Sequence, residues 1–138
     1  MDSKKKIIFI ADDDPLFLKS LEIEFREDSD FFVRCFKTGE ELIGSLSSAP
    51  DIIITDYYLN SFNKDAINGL KILDHIKEND PAIPVIILSS QDSIEVAINC
   101  THHGAFDYIV KSETAFFRLR KSLAGLLLYE KALRSSGG

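Results

Sequence analysis

Three consecutive isoleucines, Ile52-Ile53-Ile54, stand between Asp51 and Thr55-Asp56. Successive side chains of a strand point to opposite faces, so an unbroken apolar run is buried on both. A strand of this kind belongs in a parallel sheet covered by helices on each side. In open sheets of that type, ligands and chemistry gather beyond the carboxyl ends of the strands. The run stops there on a carboxylate. Asp56 is therefore the candidate nucleophile, and the remaining chain is read for groups that surround it.

Four further segments carry strand patterns: Ile7–Ala11, Phe31–Phe36, Val85–Ser89 and Phe106–Val110. Helical segments separate them. One starts at Asp14-Pro15, where proline suits the first turn, and runs to about Glu27 with Leu18, Leu21 and Phe25 on one face. Thr38 with Glu41 forms a capping box for a second, which ends near Ser47–Pro50. A third covers Gly69–Glu78; a fourth is marked by Asp92 and Glu95 at its start and by Gly104 at its end. The last runs from about Glu113 to Leu133. Residues Leu59 to Asn68 read as a long, polar, solvated connection. Strict alternation of strand and helix predicts an α/β fold, a doubly wound three-layer (βα)5 sandwich with right-handed crossovers. The flavodoxin-like strand order 2-1-3-4-5 fits it. One domain over 5–133 is expected, with 134–138 as a flexible tail or linker stub.

The length of 138 residues suits a single core, and 45% hydrophobic with 28% charged residues is ordinary for a globular protein. A net charge of -6 argues against nucleic-acid binding by the bulk surface. The locally basic stretch 113–134 reads as a solvated helix face. Cys35 and Cys100 lack metal-type spacing and are expected as buried thiols in a reducing compartment. Lys4-Lys5-Lys6 precedes an apolar run that stops at Asp12-Asp13-Asp14, too early for a signal peptide or membrane span. A cytoplasmic protein with no membrane contact is the expectation. His75, His102 and His103 read as solvent-side helix residues without the spacing or carboxylate partner of a metal site.

With strands one, three and four adjacent, Asp12 and Asp13 meet Asp56, while Ser89 and Lys111 end strands four and five. At about 5 Å and an effective dielectric near 20, each pair of carboxylates repels by roughly 3 kcal/mol. Such a cluster raises a pKa or binds a hard cation, and Mg²⁺ (or Mn²⁺) suits carboxylates completed by a phosphate oxygen. Lys111 adds a positive charge and Ser89 a hydroxyl, so Asp56 is equipped to form an aspartyl phosphate.

Four pieces now stand in order: Ile7-Ile8-Phe9-Ile10-Ala11-Asp12-Asp13-Asp14-Pro15, Asp51-Ile-Ile-Ile-Thr-Asp56, Pro84-Val-Ile-Ile-Leu-Ser89-Ser90 and Gly104-Ala-Phe-Asp-Tyr108-Ile-Val-Lys111. Over residues 5–133 the chain resembles the receiver domain of two-component response regulators. The resemblance implies that Asp56 accepts a phosphoryl group from a sensor histidine kinase or a phosphotransfer protein. It implies Asp13 as a direct metal ligand, Asp12 through water, and the Tyr58 backbone carbonyl as a further ligand beside Asp56. Lys111 would pair with the phosphoryl group, with Ser89 and Tyr108 as the switch residues. The face made by the fourth helix, fifth strand and fifth helix would then change shape and meet a second copy or an output domain.

Several positions depart from that pattern. The segment after Asp56 is longer than usual, Leu59-Asn60 replaces Met-Pro, Ser90 replaces alanine, and Ser112 replaces a proline that follows a cis bond. A non-proline cis bond costs about 3 kcal/mol, so a trans Lys111–Ser112 bond with a shifted loop is expected. Tyr58 and Gln91 flank the pocket where the family varies its phosphoryl lifetime, and Tyr58 is placed to screen attacking water. The apolar residues of the last helix outnumber one buried stripe, which points to a partner surface. Two other readings compete. A haloacid dehalogenase-type phosphatase would use Asp12 and Asp14, and leaves Asp56 without a role. A non-phosphorylated receiver-like binding module has no need of the intact Asp12, Asp13, Asp56, Ser89 and Lys111 set.

Overall fold

Alternation along each strand sorts the apolar side chains into two layers. The structure, a computed structural model, describes residues 5–59 and 68–136. In chain order the elements are β1 (Lys6–Ala11), α1 (Pro15–Arg26), β2 (Phe31–Phe36), α2 (Gly39–Gly44), β3 (Ile52–Asp56), α3 (Gly69–Asn79), β4 (Val85–Ser89), α4 (Ile94–His102), β5 (Asp107–Val110) and α5 (Ala115–Ser136). The sheet is wholly parallel, in the order β2-β1-β3-β4-β5. Ile8, Ile10, Ile52, Ile54, Ile86, Leu88 and Ile109 face α1 and α5, which answer with Leu18, Leu21, Phe25, Leu119, Leu123 and Leu126. Phe9, Ile53, Val85 and Ile87 face the opposite way, onto Leu42, Ile72, Leu73, Ile76 and Cys100 of α2, α3 and α4. Three layers with two apolar seams result, the doubly wound sandwich expected from the alternation.

Element edges differ from the sequence reading for local reasons. Helix α2 stops at Gly44, a 3-10 turn covers Leu46–Ser48, and Ala49 takes a left-handed φ of 55°. Pro50 follows, and proline pushes its predecessor out of the right-handed helical region. Thr38 does cap α2, its hydroxyl accepting from the Glu41 amide at 3.1 Å. For α4 the cap is Ser93, whose hydroxyl accepts from the Val96 amide, not Asp92 as the sequence suggested. Gly104 follows the end of α4 with φ 101°, a conformation that favours glycine. Helix α5 continues to Ser136, so residues 134–136 are helical where a tail was expected.

The connection after β3 is anchored at both ends. Leu59 is buried, against the expectation of a solvated residue, and Asn68 caps α3 by accepting from the Lys71 amide at 3.0 Å. Asn60, Asn63, Lys64 and Asp65 of the polar connection lie outside the described residues. Arg120 fastens α5 to α1, pairing with Glu24 and Asp28 while its guanidinium lies 5.0 Å from the Phe25 ring centre. Both cysteines are free; Cys100 is buried and Cys35 only half-buried. Burial pushes each thiol up to about 11, so neither is an appreciable thiolate at neutral pH. Among the described residues no helix is long and apolar enough to cross a membrane.

Phe25 is fully buried and meets Phe31 edge to face at 6.0 Å. Phe25→Ala is expected to lower unfolding free energy by about 3–5 kcal/mol, read from the urea midpoint.

Candidate functional site

The two-face sorting of the sheet also decides what lies at its carboxyl edge. Asp56 follows Ile52 and Ile54 in phase, so its side chain leaves the sheet on the α1/α5 side. Asp12 follows Ile8 and Ile10 in the same phase, and Lys111 follows Ile109. All three meet. Lys111 Nζ lies 2.8 Å from Asp12 Oδ2 and 3.3 Å from Asp56 Oδ2. The ammonium also stands 4.5 Å from the ring centre of Phe17, which closes the pocket from α1. Ser89 and Tyr108 fall in the other phase, toward α4.

Backbone bonds fix each member. The Asp12 amide donates to Phe36 O, the Tyr57 amide to Leu88 O at 2.8 Å, and the Lys111 amide to Ser89 O at 2.7 Å. Asp12 Oδ1 accepts from the Asp14 amide at 2.9 Å, and Asp56 Oδ1 from the Tyr58 amide at 3.4 Å. At the opposite end of the sheet Asp51 Oδ2 accepts from the Ile7 amide, locking β3 to β1. Ser112 follows a trans peptide and turns tightly, its amide donating to Val110 O. No cis bond occurs among the described residues.

The electrostatics follow from burial. Asp12 is 0% and Asp56 4% exposed. Burial pushes Asp12 up, with Lys111 pulling it back. Burial, helped by the charge of Asp12 and opposed by Lys111, pushes Asp56 up to about 7. For Lys111 burial works against the ammonium, but its bond to Asp12 and the two carboxylate charges outweigh it and hold it above its ordinary value. One ammonium does not neutralise the group. Asp12, Asp13 and Asp56 bring ligand oxygens within 4.8 Å of one another. Hard oxygens in a cluster with excess negative charge fit Mg²⁺ or Mn²⁺.

Asp12, Asp13, Asp56 and Lys111 thus meet at this edge, while Ser89 ends β4 on the other face and Tyr108 stands one level back, paired with Ile87. Tyr58 and Gln91 touch across the rim, Tyr58 Oη donating to Gln91 Oε1 at 3.3 Å. Tyr108, half-buried, donates its hydroxyl to the Gln91 carbonyl at 2.8 Å, and the Gln91 amide donates to Ser89 Oγ at 3.1 Å. Asp14 is spent as the cap of α1, accepting from Leu16 and Phe17 amides, which removes the second carboxylate a haloacid dehalogenase-type site requires. One histidine differs from expectation: His103 Nδ1 lies 2.6 Å from Asp74 Oδ1 and so has a carboxylate partner. Two contributors escaped the sequence reading. Phe17 looked like an ordinary helix residue, and Gly69 like a mere helix start.

Gly69 is constrained by contact. A Cβ there would lie 2.6 Å from Tyr57 Cα and 2.8 Å from Asp56 O, while its amide donates to Tyr57 O. Gly69→Ala must displace backbone beside Asp56 and is expected to cost about 1–3 kcal/mol in urea unfolding. A second prediction comes from Asp56 itself. Its pKa is higher folded than unfolded, so the metal-free protein loses stability as pH rises from about 4 to about 7, then levels off. Asp56→Asn removes that loss. Without divalent cation the variant should be more stable than wild type by roughly 1–3 kcal/mol at pH 8, with the gain vanishing near pH 4.

Comparison with known proteins agrees with this arrangement. Residues 8–123 match the profile of the response regulator receiver domain. The DNA-binding transcriptional regulator NtrC of Salmonella typhimurium is 30% identical over 111 residues, covering 78% of this chain and 22% of that protein. The nitrogen assimilation regulatory protein NtrX of Azorhizobium caulinodans is 30% identical over 105 residues, covering 75% and 22%. The chain thus spans about a fifth of the length of these relatives. A response regulator receiver domain protein from Clostridium thermocellum superposes with a TM-score of 0.80 at 25% identity, over 93% of this chain and 98% of that one. The chain belongs to the response regulator receiver domain family.

Proposed function

We propose that this domain takes a phosphoryl group onto Asp56 from the phosphohistidine of a sensor histidine kinase or a phosphotransfer protein. One observation carries the reading: three carboxylates within 4.8 Å at the strand ends, with Lys111 spanning Asp12 and Asp56. An Asp56 carboxylate oxygen attacks phosphorus, the P–N bond to the donor imidazole breaks, and the imidazole leaves with that electron pair. Asp12, Asp13, Asp56 and the Tyr58 carbonyl would hold Mg²⁺ (or Mn²⁺), which when bound offsets negative charge on the phosphoryl oxygens. Among the described residues Lys111 is the cation that pairs with Asp56, and its contacts to Asp12 and Asp56 hold it there. Its charge also keeps Asp56 from rising still further, preserving a fraction of nucleophilic carboxylate at neutral pH.

The domain is a signalling element rather than a turnover enzyme, its only chemistry being acceptance and slow loss of the phosphoryl group. Ser89 and Tyr108 then carry the change to the α4–β5–α5 face, a shift between two populated arrangements. That face exposes Ile94 and Ile98 on one side of Arg118 and Phe106 in the neighbouring groove, a surface suited to a second copy or an output domain. With a charge of -6 the domain itself does not bind nucleic acid. Its place is the cytoplasm, and residues 5–133 form the working unit.

Incubation with acetyl phosphate and Mg²⁺ should add the mass of one phosphoryl group, and Asp56→Asn should show none. Lys111→Met should slow the gain by at least about tenfold, the loss of one charge-assisted contact in the transition state. Mg²⁺ should raise the melting temperature of wild type and leave that of Asp13→Asn nearly unchanged. Multiple turnover of unrelated phosphoesters would instead mark a phosphatase, and no mass change a binding module.

A further inference from the structure

The chain after Lys111 does little to hold the lysine side chain. The Lys111–Ser112 bond is trans, and Ser112, Glu113 and Thr114 are all exposed. The grip comes instead from the start of α1. Asp12 Oδ1 accepts from the Asp14 amide, and Asp14 Oδ1 accepts from the Phe17 amide at 3.4 Å. The Phe17 ring then stands with its centre 4.5 Å from Lys111 Nζ, the same atom that Asp12 Oδ2 binds at 2.8 Å. Asp12, Asp14, Phe17 and Lys111 thus form a closed circuit of contacts. Behind it Phe116, second residue of α5, meets Phe17 edge to face at 5.8 Å. Both rings are half-buried and pack against the isoleucine and leucine seam, which fixes the tilt of Phe17.

We propose that Phe17 is a positioning residue for phosphoryl uptake, keeping the Lys111 ammonium at the Asp56 pocket when its carboxylate contacts weaken. This rests on Asp56 being the phosphoryl acceptor. The two carboxylates that now hold Lys111 belong to the cluster suited to a hard cation. An oxygen shared with such a cation, or carrying phosphorus, holds the lysine less. The ring face is not shared in this way, because hard cations take oxygen ligands. It attracts the ammonium throughout, and most strongly where water is excluded, as it is around a Lys111 side chain only 13% exposed. Without the ring, the flexible four-carbon stem lets the strongly hydrated ammonium turn toward solvent. In the step itself an Asp56 oxygen bonds to phosphorus, the bond from phosphorus to the donor's leaving group breaks, and that group departs with the electron pair. Lys111 gives up no proton; it supplies charge beside the phosphoryl oxygens. The Phe17 side chain has no polar atom to offer the reacting groups, so its influence passes through Lys111.

The test is a cycle of variants scored by the initial rate of mass gain from acetyl phosphate with Mg²⁺. Phe17→Leu keeps apolar bulk but removes the ring face, and should slow the gain about fivefold, the effect of one cation–ring contact. Phe17→Tyr keeps the face and should stay within about twofold of wild type. In a Lys111→Met background Phe17→Leu should add nothing further, since the contact is already gone. Equal slowing by Leu and Tyr, or slowing that persists in Lys111→Met, would mark a packing effect and overturn the proposal. A second readout needs no phosphoryl group. In carbon-13 lysine spectra the ring should shift the Lys111 ε-methylene protons upfield, a shift kept when Mg²⁺ is added to wild type and absent in Phe17→Leu. Disappearance of the shift on adding Mg²⁺ to wild type would show that the ring does not hold the lysine, and would sink the idea alone. If wild type gained no mass, the acceptor reading would fall, and the methylene shift would separately decide whether Phe17 holds Lys111.

Discussion

Two buried carboxylates share one ammonium, and most of the design answers to that imbalance. Burial disfavours the charged forms of Asp12 and Asp56 without abolishing them, and the charge of Asp12 adds to the cost at Asp56. Lys111 reduces the cost without cancelling it, because one positive charge faces two or three negative ones. Its own placement is tightly held: the backbone amide is tied to Ser89, the ammonium lies between two acids, and Phe17 presents its ring from α1. A ring face attracts a cation but accepts no proton from it, so Phe17 steadies Lys111 without competing for it as a base. The leftover negative charge suits a hard cation.

Sheet geometry then separates two tasks that share one edge. Residues in phase with Ile52 and Ile54 bring charge together on the α1/α5 side, while those in phase with Ile87 lead toward α4. Asp56 and Ser89 sit on adjacent strands but issue to opposite faces. The two faces meet again at the strand-end loop, where Ser89, Gln91 and Tyr108 are joined.

Much of this was legible in the chain because strands announce themselves locally. Unbroken apolar runs such as Ile52–Ile54 ended on Asp56, Ser89 and a lysine, and alternation with helices left little choice of topology. The acid cluster followed once the strand order was assumed. What stayed hidden depends on contacts between segments far apart in sequence. Nothing in the α1 sequence says that Phe17 covers Lys111, and nothing around Asn68 says that the next glycine touches the backbone of Asp56. The cap of α4 was misplaced for a subtler reason: Asp92 and Ser93 are both good caps, and only the backbone geometry chooses between them. Tyr58 and Gln91 were each recognised as rim residues, but their bond to one another spans two loops and has no sequence signature.

Gly69 also explains how an unusually long connection is accepted beside a site that tolerates little error. The chain enters the connection through Leu59, buried in the α2/α3 seam, and leaves it through Asn68, whose carboxamide caps α3. Immediately after, the Gly69 amide bonds to Tyr57 O, at a distance only a residue without a side chain allows. The last residues of β3 and the first of α3 are thus pinned to one another directly, and not through the segment that joins them. Lengthening a closed loop adds only about 0.6 kcal/mol per doubling, so extra residues between two such anchors are cheap. Gly69 against Tyr57 thus ties the end of β3, and with it Asp56, to the start of α3.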